Sequence, residues 1–173
     1  MTKKNYIITS AQARASPNKT FLEGLENYSK RNNSELIILP MIGNSAKEDW
    51  DQINPIFTEY NLLYNTKRLN DNVKIEQFNV RPYQIDPITG LSRFAQRGTT
   101  LIFASPKQRM KSIAHSNKKH PKYLVTTGAV TKPNYATGDD VSAERRRLGD
   151  IAKRDHVYGA MVVEIQDNKI FHM

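Results

Sequence analysis

The stretch Tyr6-Ile7-Ile8-Thr9, then Ser16-Pro17, Phe21-Leu22, Leu25 and Tyr28, then Glu35-Leu36-Ile37-Ile38-Leu39-Pro40, decides how the fold is read. The first tetrad is short and rich in β-formers. Ser16-Pro17 predicts a helix N-cap followed by proline at the first helical position. Phe21, Leu22, Leu25 and Tyr28 recur at i, i+1, i+4 and i+7, one apolar stripe of an amphipathic helix. Asn32-Asn33-Ser34 ends that helix, and 35–40 reads as a buried strand. Strand, helix, strand is a βαβ unit. The expectation is therefore an α/β fold, a mostly parallel open sheet with flanking helices.

Beyond that unit, Ser45-Ala46-Lys47-Glu48 has capping-box spacing. Pro55 breaks the helix begun there, and a second helical turn is expected from Phe57 to Leu63. Val73 to Val80 reads as a strand whose phase slips once. Residues 81–98, with Pro82, Pro87, Gly90 and Gly98, read as a long irregular connection. Strands are expected at 100–104 and 123–127, a helix from Ser142 to Arg154, and a C-terminal β-hairpin from Val157 to Met173 turning at Asp167-Asn168. At 173 residues the chain fits a single domain, 1–173. It stops inside an apparent strand, which hints at the first domain of a longer protein.

Composition narrows the function classes. No apolar run approaches the ~20 residues of a membrane span, and no signal-peptide core follows Met1-Thr2-Lys3-Lys4. The absence of Cys removes disulfides, thiolate nucleophiles and Cys-based zinc sites. A cytoplasmic setting is the default. The formal net charge of +9 points to an anionic partner. Residues 1–90 hold 11 Lys+Arg against 10 Asp+Glu, residues 91–156 hold 14 against 5, and residues 157–173 hold 1 against 2. The excess therefore sits wholly in the 91–156 block.

Within it Arg93, Arg97, Lys107, Arg109, Lys111, Lys118, Lys119, Arg145, Arg146 and Arg147 form clusters spaced by hydroxyl and amide residues, a pattern suited to phosphate contacts. DNA or RNA is the expected partner, with Tyr123 or Tyr135 as candidates for stacking on bases. A solvated basic face is the plainer alternative for any one cluster.

A second, smaller pattern is an echo. Ala15-Ser16-Pro17 comes after the first strand and Ala104-Ser105-Pro106 after a later one, each beside basic residues at an expected strand-to-helix junction. Such junctions favour anions, which marks Arg14, Ser16, Ser105 and Lys107 as phosphate-binding candidates. Ser-Pro simply starting a helix explains either copy as well.

Signatures of catalysis are sparse. No Gly-x-x-x-x-Gly-Lys-Ser/Thr, Gly-x-Gly-x-x-Gly or Gly-x-Ser-x-Gly occurs. His115 and His120 lie in a basic loop that repels a cation. Asp139-Asp140 and Asp155-His156 are better ligand candidates for a hard divalent cation, although helix capping explains them equally, and no metal site is assigned. Asp155, His156 and Thr127, the last in Thr126-Thr127-Gly128, are the catalytic candidates. With Gln12, Arg14, Ser105 and Lys107 they would sit at the carboxyl edge of the sheet. A phosphoesterase or nuclease there, using Mg or Mn, is the alternative to a binding protein. An assembly module is a third reading, and oligomerisation stays open.

Two resemblances bear on these readings. Residues 6–40 look like the first βαβ of the carbon–nitrogen hydrolase (nitrilase-like) family. That family implies a Glu after the Leu-Pro, where Met41 stands here, and a catalytic Cys that this chain lacks. The segments Ile8-Thr9-Ser10-Ala11-Gln12, Phe103 to Arg109 and Thr126 to Thr131 resemble amino-terminal regions of tailed-phage DNA-processing proteins, the pre-early DNase family of T5-like phages. That resemblance implies a phage or mobile-element origin, the host cytoplasm, nucleic-acid substrates and divalent-metal chemistry. The phosphatase-type motif Gly-Asp-x-x-Asp with Gly-Asn-His is missing, because Gly138-Asp139 and Gly149-Asp150 both lack the later acid.

Overall fold

A computed structural model describes residues 3–41, 52–95, 98–114, 122–135 and 141–173. In chain order its elements are β1 (Lys4–Gln12), α1 (Lys19–Asn32), β2 (Ser34–Met41), a 3-10 turn (Pro55–Glu59), β3 (Asn61–Leu62), β4 (Lys67–Arg68) and β5 (Val73–Ile75). A second 3-10 turn (Ser92–Ala95) precedes β6 (Thr100–Phe103), β7 (Met110–Ile113), β8 (Lys122–Thr126), α2 (Ala143–Arg154), β9 (Met161–Ile165) and β10 (Phe171–His172). The capping-box segment 45–48 lies outside the described residues.

These strands form two mixed five-stranded sheets, β10-β9-β1-β2-β3 and β4-β5-β6-β8-β7. The expected mostly parallel open sheet with flanking helices is thereby corrected. β1, β2 and β3 are mutually parallel, as are β5, β6 and β8, yet β9 runs antiparallel to β1, β10 to β9, β4 to β5 and β7 to β8. The physical reason lies in the connections. A parallel sheet is buried on both faces by crossover helices, but between β5 and β6 the described residues hold only the 3-10 turn Ser92–Ala95, and β6 reaches β8 through β7. Only two α-helices occur among the described residues, so one sheet must cover the other.

The core records this layering. Tyr6 and Ile8 of β1, Ile37 and Leu39 of β2, Val73 and Ile75 of β5 and Ile102 of β6 form one buried cluster between the sheets. The alternate residues Ile7 and Ile38 face Leu22 and Leu25 of α1, together with Phe57. On the far side, Leu101, Phe103 and Leu124 pack under Val80, Ile88 and Ala95. The period-2 side-chain geometry of strands makes both faces of β1 apolar. Each fully buried aliphatic side chain contributes roughly 1.5–3 kcal/mol.

Local boundaries also shift. The α1 N-cap is Asn18, whose Oδ1 accepts from the Phe21 N–H at 3.2 Å, in place of Ser16. Pro17 is still extended, because it forms a bridge with Thr131. The helix closes at Asn33, left-handed at φ 48°. Asn61 and Leu62, expected in a helical turn, instead pair with Ile37 and Ile38. The expected 73–80 strand stops at Ile75.

Candidate functional site

The carboxyl ends of β1, β6 and β8 converge although they belong to different sheets. Residue 128 joins them: the Gly128 carbonyl accepts from Ser10 Oγ, and Gly128 bridges Ser105. The Val130 N–H donates to the Ser10 carbonyl at 2.8 Å, and the Val157 N–H to the Pro106 carbonyl at 2.8 Å. Gly128 has φ +75°, and a Cβ there would stand 2.8 Å from Gly159 Cα. The two copies of Ala-Ser-Pro thus meet near one place, but they lead into different elements. The first runs into α1. The second turns on Ser105, whose Oγ accepts from the Lys107 N–H at 3.2 Å, and enters the edge strand β7. The helix expected after Pro106 is replaced by a strand, so the helix-terminus argument for an anion at Ser105 and Lys107 loses its helix.

Lys107 has the least usual environment of the candidates. Its side chain is 0% exposed, and its ammonium lies 3.4 Å from Asp155 Oδ2 and 3.5 Å from the Ile85 carbonyl. Burial holds this lysine below its ordinary pKa, the Asp155 carboxylate opposes that shift, and the charges of Arg109 and Arg154 reinforce it. The other side of Asp155 faces Arg154 Nε at 3.6 Å.

Beside this pair, His156 Nε2 lies 2.8 Å from the Thr131 carbonyl and Nδ1 lies 2.9 Å from the Tyr135 hydroxyl. A carbonyl only accepts, so Nε2 carries a proton, and in the neutral ring Nδ1 accepts from the Tyr135 hydroxyl. Burial pushes its pKa below the ordinary histidine value, against the pull of the Thr131 carbonyl. Burial, then the Asp155 charge, raises the Tyr135 phenol well above its usual value. Gln12 completes the cluster: its Nε2 donates to the Asn134 carbonyl at 3.2 Å, while its buried Oε1 has no hydrogen-bond partner among the described residues.

The remaining predicted residues scatter. Thr127 is fully buried and its hydroxyl donates to the Gly128 carbonyl at 2.7 Å. Arg14 and Ser16 are exposed, and the Arg14 carbonyl, at a left-handed residue of φ 55°, accepts from Asn134 Nδ2. Arg93 is exposed over the Phe94 ring. Arg109 and Lys111 are exposed at the start of β7, and Arg145 and Arg147 are exposed on α2, where Arg146 is half-buried. Tyr123 is half-buried, and the Tyr135 hydroxyl is already engaged by His156. Arg97, Lys118 and Lys119, with His115, His120, Asp139 and Asp140, lie outside the described residues.

The donors among the described residues do not fit a Mg or Mn site. Among the described residues no three His, Asp or Glu side chains group closely enough to share a cation, and the Asp155 carboxylate already faces two cationic side chains.

Sequence reasoning missed a groove. Asn18, Thr20, Phe21, Gly24, Tyr28, Gln108, Tyr158, Gly159 and Val162 are among the residues lining a cavity of about 600 Å3 beside α1. Tyr28 belonged to the helix's apolar stripe, yet it is 44% exposed. An apolar stripe one residue too wide for the sheet beneath it was the available signal.

No helix among the described residues is long and apolar enough to cross a membrane. No protein-family description matches the chain, and no solved structure matches it. The chain is similar to Protein A1 of Escherichia phage T5, at 25% identity over 183 aligned residues that cover 97% of this chain and 30% of that protein. The chain thus spans less than a third of that relative's length.

Proposed function

We propose that this is a phage-encoded protein that acts in the host cytoplasm and binds nucleic acid through the exposed basic residues at the start of β7 and along α2. The observation that carries the reading is the exposure of Arg109, Lys111, Arg145, Arg147, Lys153 and Arg154, in a chain whose first 90 residues are nearly neutral. Both Arg109 and Arg154 act electrostatically on Lys107, which supports one basic region over two separate ones. The likeness to Protein A1 of a T5 phage supports the phage origin.

The test is fluorescence anisotropy with labelled single- and double-stranded oligonucleotides across 50–200 mM salt. Six phosphate contacts would give a log–log slope of roughly −4 to −5, at about 0.7–0.9 per contact. Arg145→Ala with Arg147→Ala should lower the slope by about 1.4–1.8. A flat response, or no binding at low salt, refutes the proposal.

A further inference from the structure

The groove beside α1 has three properties that together select a ligand class. Its walls carry the rings of Phe21, Tyr28 and Tyr158, with Phe21 and Tyr158 tilted at 38° and 6.2 Å between centroids. Gly24 and Gly159 line it, and nothing lies within 4 Å of a would-be Cβ at Gly24, so the space there is open. The Gln108 side chain supplies an amide whose one hydrogen-bond contact among the described residues is the Met161 sulfur at 3.8 Å. Its volume falls in the range of roughly 300–1,000 Å3 used for small-molecule sites. Exposed aromatic faces with one under-used amide suit a planar heterocycle that presents hydrogen-bonding edges. An aliphatic chain would leave that amide unmatched.

Position supplies the second argument. Gln108 lines the groove and Arg109, the next residue, is exposed at the head of the basic strand. A cation of the basic region thus stands one residue along the chain from the amide that lines the groove. We infer that this groove is a base-stacking site for an unpaired nucleobase, so that the preferred ligand is single-stranded nucleic acid. The inference rests on the nucleic-acid reading above and adds strandedness to it. Sequence tolerance is expected, because every base offers a π-face.

The experiment compares a labelled dT15 oligonucleotide, the same phosphodiester with abasic residues, and a duplex, each against the wild-type chain, Tyr28→Ala and Tyr158→Ala. Stacking of about 1–3 kcal/mol per base corresponds to a five- to 150-fold affinity loss. Wild type should therefore bind dT15 at least fivefold more tightly than the abasic strand and the duplex. Tyr28→Ala, an exposed side chain, should lose most of that preference while keeping wild-type affinity for the abasic strand. Equal wild-type affinity for dT15 and the abasic strand overturns the groove assignment and leaves phosphate binding intact. No binding of any of the three overturns both. If Tyr28→Ala alters only self-association, read by sedimentation velocity, the groove is a contact between copies and the inference is also overturned.

Discussion

Gly128→Ala tests the junction on which the candidate site depends. Two penalties are expected. The backbone at 128 has φ +75°, a conformation that costs a residue with a Cβ about 1–2 kcal/mol. The new methyl would also stand 2.8 Å from Gly159 Cα and 3.0 Å from Gly159 N. Both are backbone atoms, so no flexible side chain can swing away, and overpacking of this kind costs about 1–3 kcal/mol. Together the loss is about 2–5 kcal/mol, or a Tm drop of roughly 4–20 °C at 2–4 °C per kcal/mol for a chain of this size. Gly90→Ala is the control: its φ is +79°, but nothing lies within 4 Å of its Cβ position, so only the conformational cost of about 1–2 kcal/mol applies. Differential scanning fluorimetry of both variants isolates the clash as their difference. Equal melting temperatures would refute the close approach of 128 to 159, and with it the convergence of β1, β6 and β8.

Asp155→Asn should destabilise more than Lys107→Met, because the first strands a fully buried ammonium while the second leaves a carboxylate whose side chain is 25% exposed and still faces Arg154. The first loss approaches about 3–5 kcal/mol at most; urea denaturation at pH 7 gives the order, and the reverse order would refute it. In Asp155→Asn the folded-state lysine falls further below its unfolded value of 10.5, so the unfolded chain binds more protons and stability should rise with pH in that alkaline window, by no more than about 1.4 kcal/mol per unit. His156 has the same sign at acid pH: its folded value lies below 6.5, so stability should fall as pH drops from there toward the folded value. Denaturation at pH 7.5 and 5.5 should show that slope in wild type and lose it in His156→Asn. Asn18→Ala should cost about 1 kcal/mol through the lost cap of α1, read by thermal melting.

What was legible in the sequence was what local periodicity controls. β1, α1 and β2 come from an apolar stripe between two β-prone runs, and α2 from Ser142 ahead of a run of polar helix formers. Of the second sheet, the inner strands at 73, 100–104 and 123–127 were legible, but its edges were hidden, for reasons specific to those strands. β4, like β3 at the edge of the first sheet, is two residues long, so no period can be read in it. Met110-Lys111-Ser112-Ile113 of β7 is almost wholly exposed, and an edge strand of that kind is defined by its partner β8 more than by its own side chains. The α1 cap moved two residues because Pro17 bridges Thr131, a contact 114 positions away in sequence. The groove escaped for the same reason, since helix 21–28, residue 108 and segment 158–162 meet only in three dimensions.

Charge counting found the basic block but overstated the surface it offers. Lys107 is 0% exposed beside Asp155, and Lys122 is 4% exposed with its ammonium donating to the Ala95 carbonyl at 2.5 Å. Both belong to the 14 cations counted between 91 and 156, and both serve the interior. Lys122 ties β8 to the 3-10 turn at 92–95. Lys107 sets the electrostatics at the strand ends: its buried charge faces Asp155, and the Arg109 and Arg154 charges acting on it oppose its protonation. An anion that neutralises Arg109 and Arg154 would relieve that opposition, so any anion binding at those two side chains would be linked with positive sign to protonation of the buried lysine. Compositional charge alone carries no trace of this coupling, because it treats a lysine under the sheet and an arginine on a helix as the same unit.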